Sequence, residues 1–359
     1  MTVTKEPTVL VSIVIINYNT FQLTCECIQS IRETTHVPYE VILVDNNSKE
    51  RNPSNFLSVF PDLKLIALKE NVGFGRANNR GVEEANGKYI LLLNSDTLVR
   101  EQTIDETVGY LESHPDLDIL GCKVMTNGGH IQRTVYEYKG ELSFFRSVVF
   151  FIKRNTVMKE LIRAGVELAQ KRRQEESGTG TVVSVQNGGE PSVDSLVPNF
   201  HKGKRIGALV GVFLLLKKSV YLESKGFDPD FFMYDEETNW FLKRLRNYKI
   251  VFYPAVEIFH YYGASNVYKK MNLQHHVSQY LFWYKISVAH YLLFFFYNLL
   301  EVPSKAIIGL VKWDRQYFNE IPVLFKALPY ALFDIPRYSN KYGSRKEMLK
   351  LRSLRRKGL

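Results

Sequence analysis

Short apolar runs alternate with amphipathic stretches over the first 125 residues of the chain. The runs are "VSIVIIN" (11–17), "EVILVDN" (40–46), "LKLIAL" (63–68) and "YILLLN" (89–94). Runs that are apolar at nearly every position are typical of strands buried on both faces. Residues 21–34 and 73–87 have helical spacing instead, and the second of these opens and closes with glycine. The alternation predicts an α/β fold, a mostly parallel sheet flanked by helices.

The second half of the chain is less regular. "DILGCKVM" (118–125) predicts another strand, "GALVGVFLLLKKSVYLESKGFD" (207–228) a buried strand and a short helix, and "FFMYDEETNWFLKRLR" (231–246) a helix after an acidic cluster. "YKIVFYPAVEIFHYYGAS" (248–265) indicates one or two further strands. Residues 170–205 are polar and rich in glycine and serine, and this composition predicts a mobile loop.

Residues 277–300, "VSQYLFWYKISVAHYLLFFFYNLL", are strongly apolar and aromatic, but Lys285 and His290 interrupt them. Three arrangements stay open: a spanning helix, a helix lying in the membrane interface, and a buried core or dimer helix. The interfacial arrangement is favoured, with Trp283 at headgroup level and a basic tail beyond it.

Charge and cysteine content narrow the function classes. The net charge is +10, and residues 341–357 hold eight lysines and arginines against one glutamate. Such a tail suits an anionic membrane surface or nucleic acid. Three irregularly spaced cysteines do not indicate a disulfide framework or a zinc site, and "MTVTKEPTVLVSIVIIN" does not resemble a signal peptide. We therefore expect a cytoplasmic protein with reduced core thiols.

Polar residues gather where the predicted strands end. They are Asn17-Tyr18-Asn19, Asp45-Asn46-Asn47-Ser48, and Asn94-Ser95-Asp96, while the third strand leads through Asn71 into Gly73 and a helix with Asn78 and Asn79. Each group alone is also typical of a turn or a helix cap. Because ligands of parallel α/β sheets bind at the carboxyl ends of the strands, the four ends together predict one shared polar site.

The glycine-rich stretch from Gly73 to Gly81 invites comparison with the dinucleotide-binding fingerprint. That fingerprint needs a third glycine where this chain has Asn78, and it follows the first strand instead of the third. NAD binding is therefore disfavoured. A helix that begins with glycines still offers backbone N–H groups to a phosphate or a ribose.

Several of these motifs occur together in one known family. The ordered set "VSIVIINYNT", "EVILVDNNS", "NVGFGRANNRG" and "LLLNSDT", with the later "YDEETNWFLKRLR" and "EIFHYYGAS", resembles the family-2 glycosyltransferases, inverting sugar-nucleotide enzymes of the GT-A fold. The resemblance covers residues 9–265. Within the family, the chain is most similar to the rhamnosyltransferase branch, which builds bacterial surface polysaccharides.

The resemblance implies roles for residues of the donor site. Asp45 would pair with the nucleobase, and Asp96 and His260 would bind Mn²⁺ or Mg²⁺. The motif here reads Asn94-Ser95-Asp96, so the first acid of its longer form is missing. A divalent cation suits the chemistry, because it neutralises the charge that develops on a leaving diphosphate. The alternative is that His260 has a structural role, as a histidine of the core or of a turn. The full donor-binding set is Tyr18, Asn19, Asp45, Asn46, Gly73, Asn78, Asn94, Ser95 and Asp96.

The acidic cluster would supply the general base. Inversion needs a carboxylate that takes the proton of the acceptor hydroxyl, and the family pattern assigns this role to Glu237, with Glu236 as the alternative. The same acids also suit a helix N-terminus. The family often has an aspartate where this chain has Asn239. Arg244 is equally consistent with a contact to the diphosphate and with an ion pair to the cluster.

These observations predict a nucleotide-sugar half over 9–125, an acceptor half over 126–265, and a membrane-associating region over 266–359. The expected function is inverting transfer of a sugar, rhamnose from dTDP-rhamnose in the branch resembled or a UDP-linked sugar, to a lipid-linked or polysaccharide acceptor. We expect a peripheral protein on the inner face of the cell membrane, contacting its anionic surface and no specific nucleic acid. The alternatives are an inactive glycan-binding scaffold on the same fold and a nucleic-acid-binding protein that uses the basic tail.

Overall fold

The computed structural model describes residues 9–137, 143–176, 206–261 and 268–334. The strands are β1 (Val11–Asn17), β2 (Tyr39–Asp45), β3 (Lys64–Ala67), β4 (Tyr89–Asn94), β5 (Thr97–Val99), β6 (Ile119–Thr126), β7 (Val135–Glu137), β8 (Ile206–Leu209), β9 (Phe213–Lys217) and β10 (Ile250–His260). The helices are α1 (Phe21–Thr34), α2 (Asn55–Val59), α3 (Phe74–Glu83), α4 (Thr103–Ser113), α5 (Phe144–Arg154), α6 (Thr156–Glu176), α7 (Lys218–Glu223), α8 (Glu236–Lys243), α9 (Tyr268–Ile286), α10 (Val288–Lys312) and α11 (Arg315–Pro329), and a π-helical turn (Tyr330–Asp334) follows.

The chain divides into two compact units. The first consists of Met1–Lys139 and Ser192–Tyr268, and the second of Gly140–Pro191 and Lys269–Leu359. The predicted division into three regions remains a prediction.

An eight-stranded sheet organises the first unit, in the order β3-β2-β1-β4-β9-β6-β10-β5. The β2–β3, β1–β2, β1–β4 and β6–β10 pairs are parallel, whereas β9 and β5 run antiparallel to their neighbours. Successive strand residues enter different cores, since Ile13 and Leu91 pack on one face and Val14 and Leu92 on the other. The predicted mostly parallel α/β sheet is confirmed.

Helices build the second unit. Phe151 of α5 packs between Trp283 of α9 and Tyr297 of α10, with ring centroids 5.0 and 4.9 Å away. The predicted aromatic helical segment is therefore confirmed, but Trp283 is 8% exposed and lies inside it, so its predicted place at headgroup level is wrong. Among the described residues, one helix, α10, is long and apolar enough to cross a membrane by length and composition.

Three local predictions need correction. The segment 207–217 forms two strands, β8 and β9, because a turn at Val210 to Val212 interrupts it. The apolar segment 277–300 forms two helices separated by Ser287, whose Oγ accepts a hydrogen bond from His290 N at 3.2 Å and caps α10. Residues 170–176 of the predicted loop continue α6, while 177–205 and the basic tail lie outside the described residues.

Candidate functional site

The carboxyl ends of three adjacent strands meet at one edge of the sheet. Asn17 is in register with Asp45, and Ile16 is in register with Asn94. The strands are aligned this way because their apolar runs pair side by side, so that the polar residue after each run falls at the same level. The predicted gathering of polar residues is thus present in the structure.

Asp45 lies fully inside this edge, at 1% exposure. Its Oδ2 accepts a hydrogen bond from Asn17 Nδ2 at 2.7 Å, and its Oδ1 accepts one from Ser48 N at 3.0 Å. Each carboxylate oxygen can accept a second hydrogen bond, so these contacts do not use the full acceptor capacity of Asp45. The same contacts make Asp45 a fixed part of the edge.

An amide network joins β2 to the start of α3. Asn46 Nδ2 donates to Asn71 Oδ1 at 3.0 Å, and Asn46 Oδ1 accepts from Val72 N at 2.8 Å. Gly73 N in turn donates to Asn71 Oδ1 at 3.0 Å. Gly73 has φ +91°, and a side chain there would collide with the Phe232 carbonyl. The network and the glycine bring the N-terminus of α3 against residues 227–236.

The remaining donor-site residues lie around this network. Asn78 is buried in α3 and donates to Phe74 O at 3.0 Å. Asn19 has φ +56° and accepts from Lys49 N at 2.6 Å, which ties the β1 end to the β2 end. Tyr18 is half-buried beside it. Ser95 Oγ lies 3.2 Å from Thr20 Oγ1.

Asp96 and His260 meet at the same edge. The chain turns after β4, and β5 then pairs antiparallel with β10, which sets His260 opposite Thr97. Tyr261 N donates to Asp96 O at 2.9 Å, and His260 Nε2 lies 3.2 Å from Asp96 Oδ1. His260 is 7% exposed. The two residues, 164 positions apart in the chain, therefore form one polar pair.

The orientation of His260 fits a metal ligand. Its Nδ1 is 2.7 Å from Gln132 Oε1, and an amide oxygen accepts only, so Nδ1 carries the proton. The other ring nitrogen, Nε2, is thereby directed toward Asp96 Oδ1, so both atoms are placed to bind one cation. Histidines held this way by a second residue are characteristic of metal sites.

The pair is a partial ligand set. Among the described residues, no group of three or more His, Cys, Asp and Glu side chains is placed to hold a metal ion. Asp96 and His260 therefore fit two positions around Mn²⁺ or Mg²⁺, and oxygen atoms of a diphosphate or water would have to supply the others. A mixed oxygen and imidazole set favours Mn²⁺.

The acidic cluster opens α8 from a strained turn. Tyr234 and Asp235 have φ +69° and +62°, which non-glycine residues adopt rarely and mostly at functional sites. Glu236 is buried, and its Oε2 has no hydrogen-bond partner among the described residues. Burial, and next the charge of Glu237, raise the pKa of Glu236 well above its ordinary value.

Glu237 is half-buried and differs from Glu236 in its partners. Burial raises the pKa of Glu237, but its own backbone N–H and that of Gly211 donate hydrogen bonds that act in the opposite direction. The carboxylate of Glu237 thus has backbone donors, whereas Oε2 of Glu236 has no partner among the described residues.

Gly211 makes room for Glu237. A Cβ at Gly211 would lie 2.7 Å from Glu237 Oε1. The next residue, Val212, accepts a hydrogen bond through its carbonyl from Asn94 N at 3.1 Å. The turn between β8 and β9 thus places the Glu237 carboxylate beside the end of β4, where Asp96 follows.

Two residues of this site were not anticipated from the sequence. Gln132 and Gly211 lack a local signal, because their roles arise from contacts 128 and 26 positions away. Among the described residues, Arg244 makes no ion pair with the acidic cluster, and its contact to a diphosphate stays a prediction. Its Nη1 donates to the carbonyls of Ser224, Lys225 and Gly226 at 3.2 to 3.3 Å. Asn239 is buried with Oδ1 lacking a partner among the described residues.

Known proteins share parts of this chain. Residues 12–163 match the family model described as Glycosyl transferase family 2. The uncharacterized glycosyltransferase YwdF of Bacillus subtilis (strain 168) is 26% identical over 159 residues, which is 42% of this chain and 59% of YwdF. The succinoglycan biosynthesis protein ExoO of Rhizobium meliloti (strain 1021) is 36% identical over 92 residues, which is 25% of this chain and 26% of ExoO. The chain thus spans less than two thirds of either relative.

A solved structure extends the comparison to nearly the whole chain. The mannosyltransferase PcManGT from Pyrobaculum calidifontis, in complex with GDP-Man and Mn²⁺, superposes with a TM-score of 0.51 at 15% identity. The match covers 90% of this chain and 87% of PcManGT. Identity this low shows a common fold alone. Residues 12–163, less than half of the chain, therefore match the Glycosyl transferase family 2 model, and the first unit contains the mostly parallel sheet of a GT-A-type fold.

Proposed function

We propose that this protein is a metal-dependent inverting glycosyltransferase of bacterial surface-glycan synthesis. It would move a sugar, rhamnose from dTDP-rhamnose in the branch that the sequence resembles, to a lipid-linked or polysaccharide acceptor at the inner face of the cell membrane. The family-2 match supports sugar transfer, and the name of the relative ExoO supports polysaccharide synthesis. The PcManGT complex supports a nucleotide-sugar donor with Mn²⁺.

One observation carries the proposal, the convergence of two different kinds of acid at one sheet edge. Asp96 pairs with His260, which Gln132 orients. Glu237 reaches the same edge through Gly211 and Val212. A capping or core role explains each residue alone, but it does not explain why the Asp96–His260 pair lies beside an acid that follows a strained turn.

The chemistry follows from the different surroundings of these acids. A bound divalent cation would neutralise the charge that develops on the nucleoside diphosphate as it leaves. Asp96 and His260 would hold it, while Asp45 and Asn46 fix the polar edge that receives the nucleoside. Glu237 accepts the proton of the acceptor hydroxyl, because Gly211 leaves space for its carboxylate beside the end of β4.

The test is sugar transfer by the Glu237→Gln variant of the full chain. We expect transfer to fall by at least about a hundredfold, since a positioned base typically contributes that much, while donor affinity stays nearly unchanged. Transfer is followed as release of nucleoside diphosphate with Mn²⁺, with Mg²⁺ and with chelator, and donor affinity is measured by calorimetry. The control is Glu83→Gln, an exposed acid of α3.

The pH profile gives a second readout of the same assignment. A base with a raised pKa is protonated at low pH, so the wild-type rate should rise through a value above the ordinary glutamate pKa of about 4.3. Loss of donor binding with turnover retained in Glu237→Gln would contradict the base assignment. A wild-type chain that binds donor without turnover would be the inactive scaffold.

A further inference from the structure

The outward face of α10 consists of apolar side chains. Three of them illustrate the exposure: Leu300 at 63%, Leu310 at 62% and Val311 at 76%. None of the exposed residues between positions 288 and 311 is charged or carries a polar side chain. The exposed large residues of this face are Val288, Leu292, Phe296, Leu299, Leu300, Ile307, Leu310 and Val311. At helical spacing they form one continuous stripe along the helix.

The inward face of the same helix mixes apolar and polar residues. Phe294 and Ile308 are buried there, and so are four polar residues, His290, Asn298, Glu301 and Ser304. The Glu301 carboxylate accepts from Thr156 N at 2.9 Å, Thr156 Oγ1 at 2.8 Å and Asn155 Nδ2 at 2.7 Å, at the start of α6. A surface helix of a water-soluble domain instead carries its charged and polar residues on the outward face.

The apolar character of the outward face indicates which surroundings this face meets. A contiguous apolar stripe of this size is an interaction surface. The stripe ends at Lys312, which precedes the 88% exposed Trp313. Tryptophan and lysine at the end of an apolar stretch are typical of a bilayer boundary. The basic residues 341–357 follow in the sequence and match an anionic lipid surface.

The neighbouring helices show how deep α10 lies. Lys312 bonds Glu160 of α6 at 2.7 Å, and Lys305 bonds Glu320 of α11 at 2.7 Å. Both neighbours expose charged residues, including Arg163 of α6 and Arg315 of α11. If α10 crossed the bilayer, these charges would enter hydrocarbon, which is costly. A helix lying along one leaflet immerses its apolar stripe and leaves its neighbours in water.

We propose that the apolar stripe of α10 is a membrane-contacting surface that lies along one leaflet of an anionic bilayer. This surface deepens the membrane location within the proposed function and rests on that location, but it does not depend on sugar transfer. It identifies α10 and its partners in the second unit as the part of the chain that contacts lipid, and Trp313 as its boundary residue.

The experiment is flotation of the full chain with vesicles of phosphatidylcholine and phosphatidylglycerol. The double variant Phe296→Glu with Leu300→Glu should lower vesicle affinity by at least about tenfold, because two large apolar side chains no longer enter the bilayer. The matched control, Gln316→Glu with Asn319→Glu, adds the same charge at exposed positions of α11 and should bind like wild type. Far-ultraviolet circular dichroism and retained nucleotide-sugar hydrolysis check that the first variant is folded.

Two outcomes would overturn the proposal. One is vesicle binding unchanged in the Phe296→Glu, Leu300→Glu variant, accompanied by conversion of a dimer to a monomer in sedimentation, which would assign the stripe to a second copy. The other concerns depth, measured with Leu300→Trp in a Trp313→Phe background and brominated lipids. We expect shallow bromines to quench most, and stronger quenching by deep bromines would indicate a spanning helix. If the wild-type protein binds vesicles but does not hydrolyse nucleotide-sugars, the proposed function is contradicted and the membrane-contacting surface is not.

Discussion

The two glutamates at the start of α8 have different surroundings. Glu236 is enclosed with an oxygen that has no partner among the described residues, whereas Glu237 receives a backbone hydrogen bond from Gly211. Burial raises the pKa of both carboxyls, and the charge of Glu237 adds to the rise at Glu236. A buried carboxyl with a raised pKa costs stability at neutral pH.

This cost predicts a pH-dependent effect of Glu236→Gln on stability. A carboxyl whose folded pKa is raised contributes stability below its unfolded pKa of about 4.3, and this contribution is lost as pH rises through the folded pKa. Glutamine does not titrate and avoids the loss. We expect the free energy of unfolding of the variant, measured relative to that of wild type, to increase by up to about 1.4 kcal/mol for each pH unit above about pH 5.

Urea unfolding at several pH values measures this difference. The control, Glu83→Gln, alters an exposed acid that pairs with Arg80 on α3, and its effect should stay below about 0.5 kcal/mol at every pH. Parallel stability curves for wild type and Glu236→Gln would show that Glu236 ionises in the folded protein as freely as in the unfolded chain.

At the scale of elements, the start of α3 is fixed by a close backbone approach. Phe74 N donates to Phe232 O at 2.8 Å, and this contact requires Gly73 at φ +91°. A Cβ at Gly73 would lie 2.1 Å from that same oxygen. The helix N-terminus, the amide network of Asn46 and Asn71, and the segment before the acidic cluster are therefore positioned together by one glycine.

Gly73→Ala should destabilise the protein by at least about 2 kcal/mol, because the side chain both collides and demands a backbone conformation that alanine avoids. Gly109→Ala is the matched control. Gly109 lies inside α4 with no heavy atom within 4 Å of a built Cβ, so alanine there should be neutral or stabilising by up to about 1 kcal/mol. Urea midpoints test both, and equal effects would contradict the account of Gly73.

At the scale of the molecule, the sequence allowed prediction of the parts whose signal is local. Apolar runs such as 11–17 and 89–94 mark buried strands, and the polar residue after each run, Asn17 or Asn94, therefore marks the sheet edge. His260 and Glu237 were found through motif resemblance, and the structure places both at that edge. Gln132 and Gly211 were missed because a glutamine and a glycine acquire their roles only from distant partners.

The helical unit shows a different limit of sequence-based prediction. The apolar pattern of residues 277–300 is equally consistent with a spanning, interfacial or buried helix, since composition does not reveal which face is covered. The structure separates the segment at Ser287 and buries the polar residues Asn298 and Glu301 of the following helix. Which face of the helix is buried depends on contacts such as the one between Glu301 and Thr156. Thr156 lies 145 residues from Glu301, and the sequence around it does not indicate this contact.

If the stripe of α10 and the tail contact the same bilayer, their contributions respond differently to salt. Apolar insertion is insensitive to ionic strength, whereas the charges of residues 341–357 are screened as the Debye length falls from about 10 Å at 0.1 M salt to about 3 Å at 1 M. Each basic residue near an anionic surface contributes roughly 1 kcal/mol. We therefore expect salt to weaken wild-type binding to anionic vesicles by more than about tenfold and to leave binding to neutral vesicles unchanged.

Replacing the eight basic residues of the tail by glutamine, which preserves its length, should remove the salt dependence and keep the neutral-vesicle affinity. Loss of neutral-vesicle binding in that variant would show that the tail inserts, and that the stripe alone does not hold the protein to the membrane.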